Sequence, residues 1–288
     1  MNWKAPDTAA GPIRFSAAGN AANGDGTNQG DYIFTTTATT DSTPLPVTAL
    51  FAHVAVGGGN STVFSLANTG SDAVTGSLIL TSANGIPLDA TLSSLTVSGT
   101  EQIIVAASTS LTIPPGGMKI IKATAPNSTQ TLTGWARVES TGGQLSGVGT
   151  FQLREGGALK TAVGVLSGEL EDSVTIPVDD DSTLSRYTGY AVANPGTDPI
   201  HITLFLVDGN GIVTRTLSQA INLDPGTQTA GFLYQALSDP NFKFQGSVVL
   251  KAEPSIKFVS IALVQFQEPN VLFTAIPVIK GRSSSIGN

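Results

Sequence analysis

The sequence contains no cysteine, and this absence removes several classes of chemistry at once. Without thiols the chain can form no disulfide, no thiolate metal site, no iron–sulfur cluster and no cysteine nucleophile. Histidine is almost as rare, since only His53 and His201 occur. Neither is accompanied by a Gly-x-Ser-x-Gly nucleophile motif, so the sequence predicts no Ser-His-Asp triad. We therefore expect a protein that is not an enzyme.

Charged residues and long apolar runs are also scarce. Only 12% of the 288 residues are charged, and the formal net charge is −7. An acidic chain is repelled by phosphate groups, so neither nucleic acid nor an anionic membrane is an expected partner. No segment approaches the roughly 20 apolar residues that cross a bilayer. Met1–Pro6 is not followed by the apolar run of a signal peptide, so we expect a soluble chain whose signal is absent or already removed.

Turn and strand residues are abundant instead. The chain contains 32 glycines and 16 prolines, and its hydrophobic content of 40% is too high for a disordered protein. Short apolar stretches recur between Asn-Gly, Pro-Gly and Gly-Gly pairs. This spacing is typical of antiparallel sandwiches, and it predicts an all-β fold.

The sequence repeats itself in its turns and strand cores. Residues 66–72, Leu-Ala-Asn-Thr-Gly-Ser-Asp, are matched 126 positions later by residues 192–198, Val-Ala-Asn-Pro-Gly-Thr-Asp. This duplication predicts two tandem sandwich modules, residues 47–167 and residues 168–288. The first module has surplus residues between 88 and 115, and we expect them to form a hairpin that the second module lacks.

A leader, residues 1–46, belongs to neither module. It is rich in Gly, Ala, Asn and Thr and has one strand-like run that begins at Tyr32. The alternating, uncharged residues Tyr32, Ile33 and Phe34 are predicted to interact with another copy of the chain by strand addition. A homo-oligomer or polymer is therefore the expected assembly.

Several turn and packing motifs carry a resemblance to a known family. They are Gly-Gly-Gly-Asn-Ser-Thr (57–62), Ile-Pro-Pro-Gly-Gly (113–117), Gly-Trp-Ala-Arg-Val (134–138), Phe-Gln-Gly-Ser (244–247) and Ala-Ile-Pro-Val (275–278). Their order resembles the tandem immunoglobulin-like β-sandwich repeats of large secreted bacterial surface proteins. The resemblance implies two immunoglobulin-like sandwiches and an extracellular or cell-surface location. It brings no catalytic residue with it.

The junction of the modules carries six acids and no base. They are Glu169, Glu171, Asp172, Asp179, Asp180 and Asp181. Calcium prefers several carboxylate oxygens, so the run is a candidate calcium site and calcium is the one cofactor considered. The alternative is a solvated linker whose charges discourage the pairing of an exposed strand edge.

Trp135 is the aromatic residue with the clearest predicted environment. Ala136 and Val138 match apolar positions of the second repeat and are expected to face a core. Strand alternation then puts Trp135 on the opposite face. Either the leader, the second module or another subunit covers it, or it is a platform on which a sugar stacks.

These features predict a non-enzymatic structural protein of the cell surface or extracellular space. We expect it to self-associate as a subunit of a filament, surface layer or appendage, through the leader or by strand addition. The alternative is a carbohydrate-binding or adhesion module with a glycan as partner. A third hypothesis is an enzyme with an unrecognised pair of carboxylates. It would need a cavity that contains two convergent acids.

Overall fold

The computed structural model describes residues 13–26, 29, 32–40, 46–95, 101–253, 255–267 and 271–281. Nearly all of its regular structure is β, and all strand pairs are antiparallel, so the predicted all-β sandwich class is confirmed. The chain divides into two units, one of which ends at Pro46 while the other begins at Val47. The larger unit contains both predicted modules.

The smaller unit is a two-stranded hairpin, which we call the leader hairpin. Strand β1 (Ile13–Ala21) pairs along its whole length with β2 (Tyr32–Thr40). Between them, the side chain of Asn23 accepts a hydrogen bond from the backbone N–H of Asp25 at 3.1 Å. This is an Asx-turn, the local bond by which asparagine favours a change of chain direction.

Module 1 is a sandwich of a four-stranded and a six-stranded sheet. Its strands are β3 (Val47–Val56), β4 (Asn60–Asn68), β5 (Val74–Ser82), β6 (Ala90–Leu95), β7 (Glu101–Ala106), β8 (Ser108–Ile113), β9 (Met118–Thr124), β10 (Leu132–Thr141), β11 (Leu145–Glu155) and β12 (Ala158–Leu166). The sheet orders are β3-β10-β5-β8 and β12-β11-β4-β9-β6-β7. Strand alternation turns side chains such as Phe64, Leu78 and Val138 into the core between the sheets.

The described residues of module 2 form nine strands, which are joined into one continuous sheet. They are β13 (Ser173–Asp181), β14 (Arg186–Ala193), β15 (Ile200–Asp208), β16 (Val213–Leu223), β17 (Gln228–Phe232), β18 (Lys243–Glu253), β19 (Val259–Phe266), β20 (Leu272–Ile276) and β21 (Ile279–Lys280). The single α-helix of the described residues, α1 (Leu233–Ala236), follows β17. It ends shortly before Asp239-Pro240, because a proline disfavours the helical conformation of the residue that precedes it.

The two modules share one strand order. In module 2 the order β13-β18-β15-β16 repeats β3-β10-β5-β8, and β20-β19-β14-β17 repeats β12-β11-β4-β9. The surplus of module 1 forms the predicted hairpin, since β6 pairs with β7 and also extends the sheet beyond β9. The turn expected near Ser98-Gly99 lies outside the described residues.

The strand order departs from that of an immunoglobulin domain. There, the first two strands lie in the same sheet. Here the first strand of module 1, β3, pairs with β10, while the second, β4, lies in the opposite sheet between β11 and β9. The resemblance therefore holds for the sandwich architecture. The first strand differs from that of an immunoglobulin domain, because it does not lie in the same sheet as the second strand.

A buried asparagine explains one repeated motif. Asn68 is 1% exposed, and its amide donates to the carbonyls of Asp72 and Ile113 at 2.7 and 3.1 Å. Its Oδ1 accepts from the N–H groups of Gly70 and Gln144 at 3.0 and 3.2 Å. A buried amide is stable only when such bonds replace those to water. The repeated asparagine therefore joins a loop to neighbouring strands.

Candidate functional site

Two aromatic side chains of the leader hairpin project from one face. Tyr32 lies opposite Ala21, and Phe34 lies opposite Gly19. Because residues two apart on a strand share a face, Tyr32 and Phe34 lie on the same side. They are 69% and 66% exposed. Ile33, on the other face, is 73% exposed, so all three residues nominated from the sequence present apolar surface to solvent.

The leader hairpin has two backbone edges, one along each of its strands. Within the part of the chain that the structure describes, β1 and β2 form a sheet of two strands and pair with no third. An isolated two-stranded hairpin is at best marginally stable in water, and it gains stability from further strands or from packing on a hydrophobic surface. Unpaired N–H and C=O groups along an edge are a template for another strand.

Trp135 lies between the two modules. It is 2% exposed, and its indole Nε1 donates a hydrogen bond to the carbonyl of Gly226 at 2.7 Å. Ala136 and Val138 point into the core of module 1, as the alternation predicts. Of the covers considered for Trp135, the second module is the one observed. A side chain so deeply buried offers no platform for a sugar.

The cover is an apolar cluster, here called the interface cluster, formed by both modules. Its buried members are Leu50, Ala52 and Trp135 from module 1 and Ala191, Ala193, Val259 and Ile261 from module 2. At its margin, the backbone N–H of Gln228 donates to the carbonyl of Ala83 at 3.0 Å. The modules are thus packed on each other through strand faces, which explains why both sides of β3 are buried.

The acids before β13 are held by a lysine and by the backbone. Glu171 is 9% exposed, and its Oε1 accepts from the Lys280 ammonium at 2.8 Å. This hydrogen bond, together with the charges of Glu171, Glu169 and Asp172, raises the pKa of Lys280 above its usual value. The backbone of Glu171 exchanges hydrogen bonds with Phe258.

The acids at the end of β13 have separate partners. Asp179 forms an ion pair with Arg186 at 2.8 Å, and Asp181 forms one with Lys243 at 3.1 Å. Hydrogen bonds from Thr183 and Lys243 lower the pKa of Asp181 to about 2. Asp180 lies between them in sequence but points the other way, into the protein.

Asp180 is a buried carboxylate with only one satisfied oxygen. It is 2% exposed, and its Oδ1 accepts from the backbone N–H and the hydroxyl of Thr188. Its Oδ2 has no hydrogen-bond partner among the described residues. Burial raises the pKa of Asp180, and the bonds from Thr188 oppose this rise.

The six acids therefore do not assemble into the predicted calcium site. The two groups lie at opposite ends of β13, whose nine residues span roughly 25 Å. Within the described residues, no group of three or more His, Asp or Glu side chains is arranged to hold a metal ion. Proximity in sequence was misleading because an extended strand separates its ends.

At least three cavities lie along the contact between the modules. One, of about 480 Å³, is lined by Glu169, Glu171 and Lys280 among others. It brings two acids into one cavity, but Glu171 is held in its ion pair with Lys280. A general acid or base must instead be free to exchange a proton with a substrate.

The second cavity, here called the cleft cavity, has a volume of about 310 Å³. Its walls include His53, Phe151 and Val163 of module 1 and Phe232 and Phe273 of module 2. No local motif in the sequence indicates this cavity, because its residues come from strands of both modules. Only the duplication indicates a contact between modules, because it predicts two modules that are adjacent in the chain.

Comparisons with known proteins identify no relative. No family model, no curated protein and no solved structure matches the chain. Within the described ranges, no helix has the length and apolarity to cross a membrane.

Proposed function

We propose that the protein is a non-enzymatic structural subunit that self-associates through its leader hairpin. The exposed leader hairpin carries this proposal. Tyr32 and Phe34 on one face and Ile33 on the other leave apolar surface in water, and burying such surface stabilises a contact by roughly 25 cal/mol per Å². Association with the leader of a second copy would cover these side chains and pair the backbone edges.

The charge distribution supports contact between identical leaders. The leader contains six charged residues, Lys4, Asp7, Arg14, Asp25, Asp31 and Asp41, but of these only Arg14 lies within β1 or β2. Two copies of such a segment repel each other weakly, whereas charged edge strands resist pairing. The larger unit, by contrast, buries its apolar side chains in two cores and the interface cluster. The larger unit is therefore suited to be the stable body of a subunit, and the leader hairpin is suited to connect it to another copy.

The setting we propose is extracellular or at the cell surface, in a filament, surface layer or appendage. The turn and packing motifs that resemble the immunoglobulin-like repeats of secreted bacterial surface proteins support this setting. The repeated strand order supports a tandem-repeat origin. A glycan-binding function has weaker support, because Trp135 is covered by module 2.

Deleting residues 1–45 tests the proposal. Full-length protein should elute from size-exclusion chromatography with light scattering as oligomers whose mass rises with concentration. The truncated protein should elute as a monomer with unchanged circular dichroism of its sandwich modules. Negative-stain electron microscopy of both samples would show whether the oligomers are filaments or closed particles. Equal masses for the two proteins would rule out the leader as the associating segment.

A further inference from the structure

The cleft cavity has aromatic walls. Phe151, Phe232 and Phe273 line it from three different strands. The ring of Phe151 also meets the imidazole of His53 edge to face, with centroids 5.2 Å apart. Phe232 stacks on Tyr234 with centroids 5.8 Å apart. Rings that are fixed in this way favour a further ring as their neighbour.

The cavity contains no formal charge at neutral pH. Its lining includes no Asp, Glu, Lys or Arg side chain. Burial lowers the pKa of His53 to about 4, so its imidazole is neutral at pH 7. A charged ligand would lose its hydration here without gaining a counter-ion, which is strongly unfavourable. The walls therefore select neutral molecules.

Two polar side-chain groups of the lining, His53 Nε2 and the Tyr190 hydroxyl, have no hydrogen-bond partner among the described residues. The Nδ1 atom of His53 is hydrogen-bonded to Gln228 Nε2 at 3.1 Å. This bond leaves the imidazole proton on Nε2, which has no described hydrogen-bond partner. The other polar side chains of the lining are each engaged through one atom: the amide of Asn60 donates to Thr131, and the amide oxygen of Gln235 accepts from the N–H of Phe232.

From these features we propose that the cleft cavity binds a neutral aromatic compound of about two fused rings that carries a hydrogen-bonding group. The volume of about 310 Å³ is at the lower end of the range for small-molecule sites. It is about twice that of a cavity that holds benzene. Ligand pockets are commonly found between domains, and here each module supplies part of the wall.

The experiment uses 2-naphthol as the probe and full-length protein. Isothermal titration calorimetry should show one site per chain. Naphthalene-2-sulfonate has the same rings but a negative charge, and its affinity should be at least about ten-fold lower. No saturable binding of 2-naphthol, or equal binding of the sulfonate, would overturn the proposal.

Two variants locate the site. Val163→Phe adds volume inside the cavity, and Ala230→Trp adds it at an exposed position of the lining. Each variant should bind 2-naphthol with an affinity at least about ten-fold lower than that of the wild type. Val105→Trp is the matched control, because Val105 is 76% exposed on β7 and does not line the cavity. Circular dichroism identifies any variant that fails to fold, and retained affinity in either folded variant contradicts the site.

A third variant tests the polar contact. His53→Phe should lower the affinity for 2-naphthol but leave the affinity for naphthalene unchanged. The reason is that only 2-naphthol has a hydroxyl group that loses a hydrogen-bond partner. Equal losses for both compounds would contradict a role for His53 Nε2. The protein without residues 1–45 should bind 2-naphthol as the full chain does. The proposal for the cleft cavity and the proposal for association through the leader hairpin can therefore be overturned independently of each other.

Discussion

The indole Nε1 of Trp135 donates a hydrogen bond of 2.7 Å to the carbonyl of Gly226, and this bond joins the two modules. Gly226 lies in a Pro-Gly turn that has a repeat equivalent at Gly116. The left-handed backbone is the same at both positions, with φ of 76° and 68°. Around Gly116 the space is open, whereas Gly226 approaches the Cα of Gly85. The Pro-Gly turn is therefore an exposed loop in module 1 and part of the interface between the modules in module 2.

Substitution of Trp135 should weaken the contact between the modules. Trp135→Phe removes the donor to the partly buried Gly226 carbonyl, at a cost of about 0.5–1.5 kcal/mol. Trp135→Ala also opens a cavity in the interface cluster and should cost about 3–5 kcal/mol. Urea unfolding followed by circular dichroism measures both values.

The control for Trp135 lies on the same strand. Leu132 is 37% exposed, so Leu132→Ala should cost less than about 1 kcal/mol. We further expect Trp135→Ala to separate unfolding into two transitions, because the modules lose much of their shared core. A Trp135→Phe protein with the stability of the wild type would contradict the role of the hydrogen bond.

The equivalent asparagines of the two modules should have similar effects on stability. Asn194 is fully buried and donates to the carbonyls of Asp198 and Leu223, as Asn68 does to those of Asp72 and Ile113. Asn68→Ala and Asn194→Ala each leave buried carbonyls unpaired, so each should cost at least about 1–3 kcal/mol. The measurement is the urea midpoint of each single variant and of the double variant.

The two asparagines do not contact each other, so their effects should add within about 0.5 kcal/mol. An exposed asparagine provides the control. The backbone N–H of Asn210 donates to the carboxylate of Asp208 at 2.9 Å, so Asn210→Ala keeps this bond and loses only a side-chain bond to the same carboxylate at the surface. A neutral effect at Asn68 or Asn194 would show that the repeated motif has a role other than this network.

Neighbouring aspartates should have opposite effects on the pH dependence of stability. The pKa of Asp180 is raised by burial. Its contribution is favourable at low pH and is lost as the pH rises above about 4. Asp180→Asn should therefore gain stability relative to the wild type as the pH is raised from about 3 to about 7. Urea unfolding at both pH values gives this difference.

Asp181 is the matched control for Asp180. Its pKa is lowered to about 2 by bonds from Thr183 and Lys243, so its contribution is present above pH 3.8 and is lost as the pH falls towards 2. Asp181→Asn should therefore lose stability at neutral pH, and the loss should shrink in acid. The same sign for both variants would contradict the opposite environments of the two carboxylates.

The two faces of the leader hairpin can be distinguished by single charges. Phe34→Lys charges the face that also carries Tyr32, while Ile33→Lys charges the opposite face. Contact through the aromatic face predicts that Phe34→Lys reduces the association constant by at least about ten-fold, with a smaller effect of Ile33→Lys. Equal losses would instead indicate association through the backbone edges. Sedimentation equilibrium measures both constants.

Much of the fold follows from local sequence patterns. Alternation along β10 places Ala136 and Val138 in the core and Trp135 on the other side, and the structure has this arrangement. The surplus of module 1 forms the expected hairpin. These predictions succeed because side-chain direction and turn formation depend on a few neighbouring residues.

The candidate sites were harder to predict. The six acids looked like one cluster because they are close in sequence, but β13 separates them and ion pairs occupy several. The cleft cavity left no local signal, since His53 and Phe232 meet only after the modules pack. The exposed leader residues Tyr32 and Phe34 were identified from the uncharged alternation of their strand.

By itself, the sequence determined the all-β class, the two equivalent modules, the extra hairpin of module 1 and the face on which Trp135 lies. All of these follow from backbone periodicity and from residues within one or two strands. Tertiary structure alone decided that module 2 covers Trp135, that β3 pairs with β10, and that a cavity remains between the modules. These outcomes depend on the packing of strands far apart in the chain, where shape and burial select the partner.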